Sequence, residues 1–117
     1  MASTRQITGA AGEDAVAAWY TQRGYSVVAR NWRAGRSGEI DIVARIGQVC
    51  AICEVKTRSS AAFGSGFEAV TNDKQRRLRR LAAAWLAAQD QREWLDVRFD
   101  VAAVDAAGVV EVLEAAF

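Results

Sequence analysis

Apolar residues in the first half of the chain follow two different rhythms. Ala15, Val16, Trp19 and Tyr20 recur at helical spacing, which predicts an amphipathic helix over residues 8–23. Gly24 stands just past it as a C-terminal stop. A strand is expected over 26–32, and Ala34-Gly35-Arg36-Ser37-Gly38 reads as a loop. The period then shortens to two: Ile40, Ile42, Ala44 and Ile46 alternate with Glu39, Asp41, Val43 and Arg45. Gly47-Gln48 is a two-residue hairpin turn sequence, and a second apolar strand follows over 49–56. If Ile46 pairs with Val49, Asp41 falls opposite Glu54 and Glu39 opposite Lys56, all four on one face. Directly opposed residues have Cβ atoms ~4.5–5.5 Å apart.

A polar, glycine-containing loop is expected over 57–66. A second helix is expected from Asn72, read as the N-cap, to residue 89, with Leu78, Leu81, Ala82, Trp85 and Leu86 as its buried stripe. Two further strands are expected over 98–104 and, after Ala107-Gly108, over 109–113. The order helix, three strands, helix, two strands predicts a single α/β domain over 1–117, with a central mixed sheet of about five strands flanked by helices.

Composition changes this picture little. With 51% apolar and 25% charged residues the chain reads as globular rather than disordered. No apolar run approaches the ~20 residues of a membrane helix, and no secretory h-region is visible, so a cytoplasmic location away from membranes is expected. A net charge of +1 argues against a uniformly basic surface, yet Lys74, Arg76, Arg77, Arg79 and Arg80 crowd into one short run. The absence of histidine excludes His-based zinc sites, Ser-His triads and Cys-His nucleophiles. Cys50 and Cys53 have C-x-x-C spacing. In a strand, residues three apart point to opposite faces, so these are expected to be core thiols rather than a redox or zinc pair.

Asp41, Glu54 and Lys56 are the residues with chemistry to offer. Two facing carboxylates in a partly buried sheet repel each other and are costly to keep ionised. A divalent cation between them offsets that cost, and hard oxygen ligands suit Mg²⁺ or Mn²⁺. The Val55 carbonyl is a candidate further ligand. Lys56 shares the face of Glu54, placed to orient a water or to stabilise charge developing on a phosphate. The alternative is a solvated charge ladder in which such pairs contribute ~0–1 kcal/mol each.

Several segments resemble the YraN family of small bacterial proteins: Gly12-Glu13, Gly24-Tyr25, Arg30-Asn31-Trp32-Arg33, Gly38-Glu39-Ile40-Asp41, Glu54-Val55-Lys56-Thr57-Arg58, and Glu68-Ala69-Val70-Thr71 followed by Lys74-Gln75-Arg76-Arg77. That family in turn resembles the PD-(D/E)XK nuclease superfamily, and within it the archaeal Holliday-junction resolvases. The resemblance implies a restriction-endonuclease-like fold and a metal-dependent endonuclease acting on structured or branched DNA. It implies Asp41 and Glu54 as metal ligands, Lys56 as the catalytic lysine, Glu13 as an additional acid from the first helix, and Gln75 near the site.

Each remaining candidate carries two readings. Glu13 borders the apolar stripe of its helix and either points at the sheet or is an N-terminal acid favoured by the helix dipole. Gln75 either faces the core or is an ordinary polar helix end. The run Lys74, Arg76, Arg77, Arg80, with Arg33, Arg36 and Arg58 from loops, is either a phosphate-contacting stripe or a solvated face. Trp32 and Phe63 are either stacking platforms for bases or core residues. At the level of the whole chain, the alternatives to a nuclease are a non-catalytic nucleic-acid-binding module and a homodimeric adaptor.

Overall fold

The computed structural model describes residues 9–57, 70–89 and 95–117. The elements come in the expected order: α1 (Gly9–Gln22), β1 (Ser26–Arg33), β2 (Glu39–Ile46), β3 (Val49–Thr57), α2 (Asn72–Ala87), β4 (Asp96–Val104) and β5 (Val110–Leu113). The strands form one five-stranded sheet in the order β1-β2-β3-β4-β5. β3 and β4 run parallel and the other neighbours antiparallel, so α2 lies in the crossover of a β3–α2–β4 unit. This is an α/β architecture with a mixed sheet flanked by helices, consistent with a restriction-endonuclease-like fold.

Gly24 ends α1 for a stereochemical reason. Its φ of 89° closes a Schellman turn, in which the Tyr25 N–H donates to the Tyr20 carbonyl at 3.1 Å and the Gly24 N–H to that of Thr21, also at 3.1 Å. The rings of Tyr20 and Tyr25 meet edge to face at 5.0 Å across the same turn. α2 is capped one residue earlier than its sequence suggests. Thr71, not Asn72, is the N-cap, and its hydroxyl accepts the Lys74 N–H at 3.2 Å. Both residues have capping side chains, and the hydrogen bond from the Gln75 N–H to the Thr71 carbonyl fixes which one serves.

The sheet is buried on both faces. Ile40, Val43, Cys50 and Ile52 pack with Leu78, Leu81, Ala82 and Trp85 of α2. Ile42, Ala44, Ala51 and Cys53 pack with Val16 and Tyr20 of α1. The two cysteines therefore lie on opposite faces, free and buried, as strand geometry requires. Burial pushes the Cys50 thiol up to about 11, away from reactivity. Strict alternation fails at Ile40, which packs with α2 while Ile42 packs with α1. Trp32 packs against the α2 side of the core, the core reading of that residue.

Asp100, wholly buried in β4, is the polar keystone of the α1 side. It accepts the Tyr20 hydroxyl at 2.6 Å, two Arg98 nitrogens at 2.8 Å each and the Ala115 N–H at 3.1 Å. With every lone pair engaged, the charge ties α1, β4 and the C-terminal segment together. Among the described residues no helix is long and apolar enough to cross a membrane.

Candidate active site

The hairpin has the register that its two-residue turn implies. Ile46 pairs with Val49 and the ladder continues to Ile42 and Cys53. Beyond that pair the ladder ends, and the Asp41 carboxylate accepts the Val55 N–H at 2.8 Å. A strand residue points its N–H and C=O the same way, so the Val55 carbonyl opens on the Asp41 side of β3. Where β2 and β3 part, an open cleft of about 540 Å³ is lined by Gly38, Glu39, Asp41, Glu54, Val55, Lys56, Thr57, Lys74 and Arg77. The expected quartet of Glu39, Asp41, Glu54 and Lys56 therefore meets in one place. The paired register stops short of both the Asp41–Glu54 and the Glu39–Lys56 pairings that the turn predicts; there the Asp41 side chain, rather than a ladder bond, meets β3 at the Val55 N–H.

Electrostatics set this cleft apart from a solvated charge ladder. Burial pushes the Asp41 carboxyl up to about 7, and the charges of Glu54, Glu13 and Glu39 add to the rise, against the pull of the Val55 N–H. Burial, together with the neighbouring Lys74, holds the Lys56 ammonium below the usual lysine range. Lys74 is held above that range by its hydrogen bond with Lys56 and by Glu54, whose Oε2 lies 3.1 Å from its Nζ. Lys56 is thus the lysine that parts with its proton more readily.

Glu13 does not line the cleft, but its charge is felt at Asp41. Its side chain is only 13% exposed. Its Oε1 is buried and has no hydrogen-bond partner among the described residues. Arg30 forms an ion pair with it at 3.7 Å, too long for a hydrogen bond. Glu13 therefore points toward the sheet rather than serving as an exposed helix-end acid. Gln75 also stays out of the cleft. Its amide donates to the Val70 carbonyl at 3.3 Å and steadies the entry to α2.

The basic run divides by helix geometry. Lys74 and Arg77 line the cleft. Gly38, at a φ of 107° that favours glycine, lies beside Arg77, a Cβ there falling 3.4 Å from the Arg77 Cδ. Arg76 pairs with Asp73 at the exposed start of α2, and Arg80 is exposed. Arg79 turns away, its guanidinium 4.9 Å from the centre of the Phe99 ring and 5.3 Å from that of Phe117. Arg33 pairs with Glu39 at 3.4 Å, and Arg36 is exposed. Arg58 and Phe63 lie outside the described residues.

Among the described residues, no group of three acidic or thiol side chains is arranged to hold an ion alone. The donor set still suits a hard divalent ion: two carboxylates and a backbone carbonyl on one cleft. Sites of this kind are commonly completed by water and by substrate phosphate oxygens.

The fold and cleft define a small α/β protein with an acidic and lysine-bearing site at the end of a β-hairpin. The sequence profile of the family described as "Uncharacterised protein family UPF0102" matches residues 12–104, and the chain belongs to that family. A UPF0102 protein of Nocardia farcinica is 49% identical over 100 residues, covering 86% of this chain and 77% of its own. One of Streptomyces coelicolor is 47% identical over 102 residues, covering 87% and 78%. One of Beutenbergia cavernae is 53% identical over 100 residues, covering 86% and 83%.

Proposed function

We propose that the protein is a Mg²⁺- or Mn²⁺-dependent phosphodiesterase of the PD-(D/E)XK type, acting on structured or branched DNA. The observation that carries this reading is the convergence of Asp41, Glu54, Val55 and Lys56 on one polar cleft, with the Asp41 carboxyl pushed up to about 7. A carboxylate crowded by three other acids needs a counter-charge, and a cleft open to solvent admits a phosphate. Asp41, Glu54 and the Val55 carbonyl would hold the ion. When bound, it supplies a Lewis acid and a water of lowered pKa. Lys56 stabilises charge developing on the phosphate, and Arg77 anchors the neighbouring backbone phosphate. Asp41 also orients the Val55 peptide through its hydrogen bond.

The deciding experiment is a panel of duplex, flap, single-stranded and four-way-junction DNA, incubated with Mg²⁺ or Mn²⁺. Cleavage of branched substrates that is lost in EDTA supports the proposal. DNA binding at physiological salt with no cleavage would replace it with the binding-module reading. Neither binding nor cleavage would favour the adaptor reading, to be pursued by sedimentation for a homodimer.

A further expectation concerns the basic helix. Electrostatic binding to DNA weakens with salt in proportion to the number of phosphates neutralised. Arg77→Ala should reduce the slope of log affinity against log salt by about one. Arg79→Ala should leave the slope unchanged, because that guanidinium lies over Phe99 and Phe117. Equal slopes in wild type and Arg77→Ala would return the run to a solvated face.

A further inference from the structure

Glu54 already has a cation beside it. The Lys74 ammonium lies 3.1 Å from Glu54 Oε2, with the two side chains only 25% and 12% exposed. The lysine comes from a different element than the carboxylate, and its own N–H is fixed by the Thr71 cap. A held helix end therefore delivers a positive charge to the proposed metal-binding oxygens. The geometry is too sheltered for an ordinary surface pair, whose partners are free to separate into water.

A divalent ion arriving at Glu54 meets that ammonium within a few ångströms. Like charges at such a distance repel strongly where water is partly excluded. One carboxylate cannot serve both partners at full strength. Resting on the reading of Asp41 and Glu54 as metal ligands, we infer that Lys74 is a resident counter-cation that competes with the divalent ion for Glu54 and is released into the cleft when the ion binds. The released ammonium faces the space that a DNA phosphate would enter, beside Arg77. Metal and DNA binding are then coupled through one side chain. Whatever draws Lys74 off Glu54 raises metal affinity, and the metal in turn raises affinity for a polyanion.

The test is Mn²⁺ binding to the full chain without DNA, followed by titration calorimetry and by the electron paramagnetic resonance signal of free Mn²⁺. Lys74→Gln should bind roughly ten-fold tighter than wild type, since the competing charge is gone. Lys74→Arg, which keeps the charge, should stay near wild type. Arg77→Gln removes a charge from the same cleft but not the one beside Glu54, and should gain less than about three-fold. Equal affinity in Lys74→Gln and wild type, or an equal gain in Arg77→Gln, would overturn the competitor role while leaving the metal site standing. No Mn²⁺ binding in any of the four proteins would overturn both this inference and the metal-site reading. Wild type offers a check that needs no variant. On saturation with Mg²⁺, the side-chain nuclear magnetic resonance signals of Lys74 should move toward those of a solvated lysine. Signals that stay put while Mg²⁺ binds would overturn the inference.

Discussion

Lys56→Ala should lower DNA cleavage by ~10²-fold or more while leaving the fold and DNA affinity largely intact. Phosphodiester hydrolysis needs an attacking water, stabilisation of charge at phosphorus and a stabilised leaving oxygen. With no histidine in the chain, few side chains can help with these tasks. Lys56 lies in the cleft with Asp41 and Glu54, and burial holds its ammonium below the usual lysine range. A preorganised cation of this kind is commonly worth ~10²–10³ in rate. Lys56→Arg should not restore activity, because a planar guanidinium is not a compact ammonium. Glu54→Ala should abolish cleavage by removing a proposed ligand. DNA binding should survive both changes, since phosphate contacts from Arg77 lie elsewhere on the cleft. The decisive measurement is the single-turnover cleavage rate beside DNA affinity for each variant. Cleavage by Lys56→Ala at the wild-type rate would remove Lys56 from the chemistry.

Much of this site was legible because a two-residue turn leaves a hairpin no freedom of register. Once Gly47-Gln48 is read as the turn, Ile46 must meet Val49. The ladder then ends at Ile42–Cys53, and Asp41 and Glu54 line the cleft just beyond it. The faces of Cys50 and Cys53 follow from strand period alone. The buried stripe of α2 is equally a matter of period: Leu78, Leu81, Ala82 and Trp85 are buried, while Leu86, at its edge, is half-buried.

What the pattern hides are contacts between elements distant in sequence. Arg98-Phe99-Asp100 looks like an ordinary strand with two charges on one face, yet Asp100 is a fully buried hub joined to Tyr20. Nothing local distinguishes Arg79, stacked on Phe99 and Phe117, from its neighbours in the basic run. The pairing of Lys74 with Glu54 depends on where the crossover from β3 sets the start of α2, which no periodicity encodes. Ile40 misleads in the other direction. It keeps the alternating pattern but packs on the face opposite Ile42, next to the point where the β2–β3 ladder ends.

Asp41→Asn should make the protein more stable than wild type at pH 8 and should remove a pH dependence that wild type shows. The Asp41 carboxyl is pushed up to about 7 in the fold, chiefly by burial and then by Glu54, Glu13 and Glu39, from 3.8 when unperturbed. Between these values the folded chain keeps a proton that the unfolded chain has lost. The stabilisation is full below the unfolded value, declines as pH rises and is gone above the folded value. Between pH 5.5 and pH 8 this one group should cost wild type about 2 kcal/mol. Asparagine has no such titration, and its side-chain oxygen can still accept the Val55 N–H. The comparison of the two proteins cancels the contributions of all other groups. Urea unfolding in EDTA at the two pH values measures the difference. If both proteins lose stability in parallel, the Asp41 carboxyl is not held above its unfolded value by its neighbours. Repeating the pH 8 measurement with Mg²⁺ links the effect to function. The ion should stabilise wild type, which keeps both carboxylates, and leave Asp41→Asn unchanged, because an active-site acid that weakens the fold when ionised is relieved by the ligand it was placed to hold.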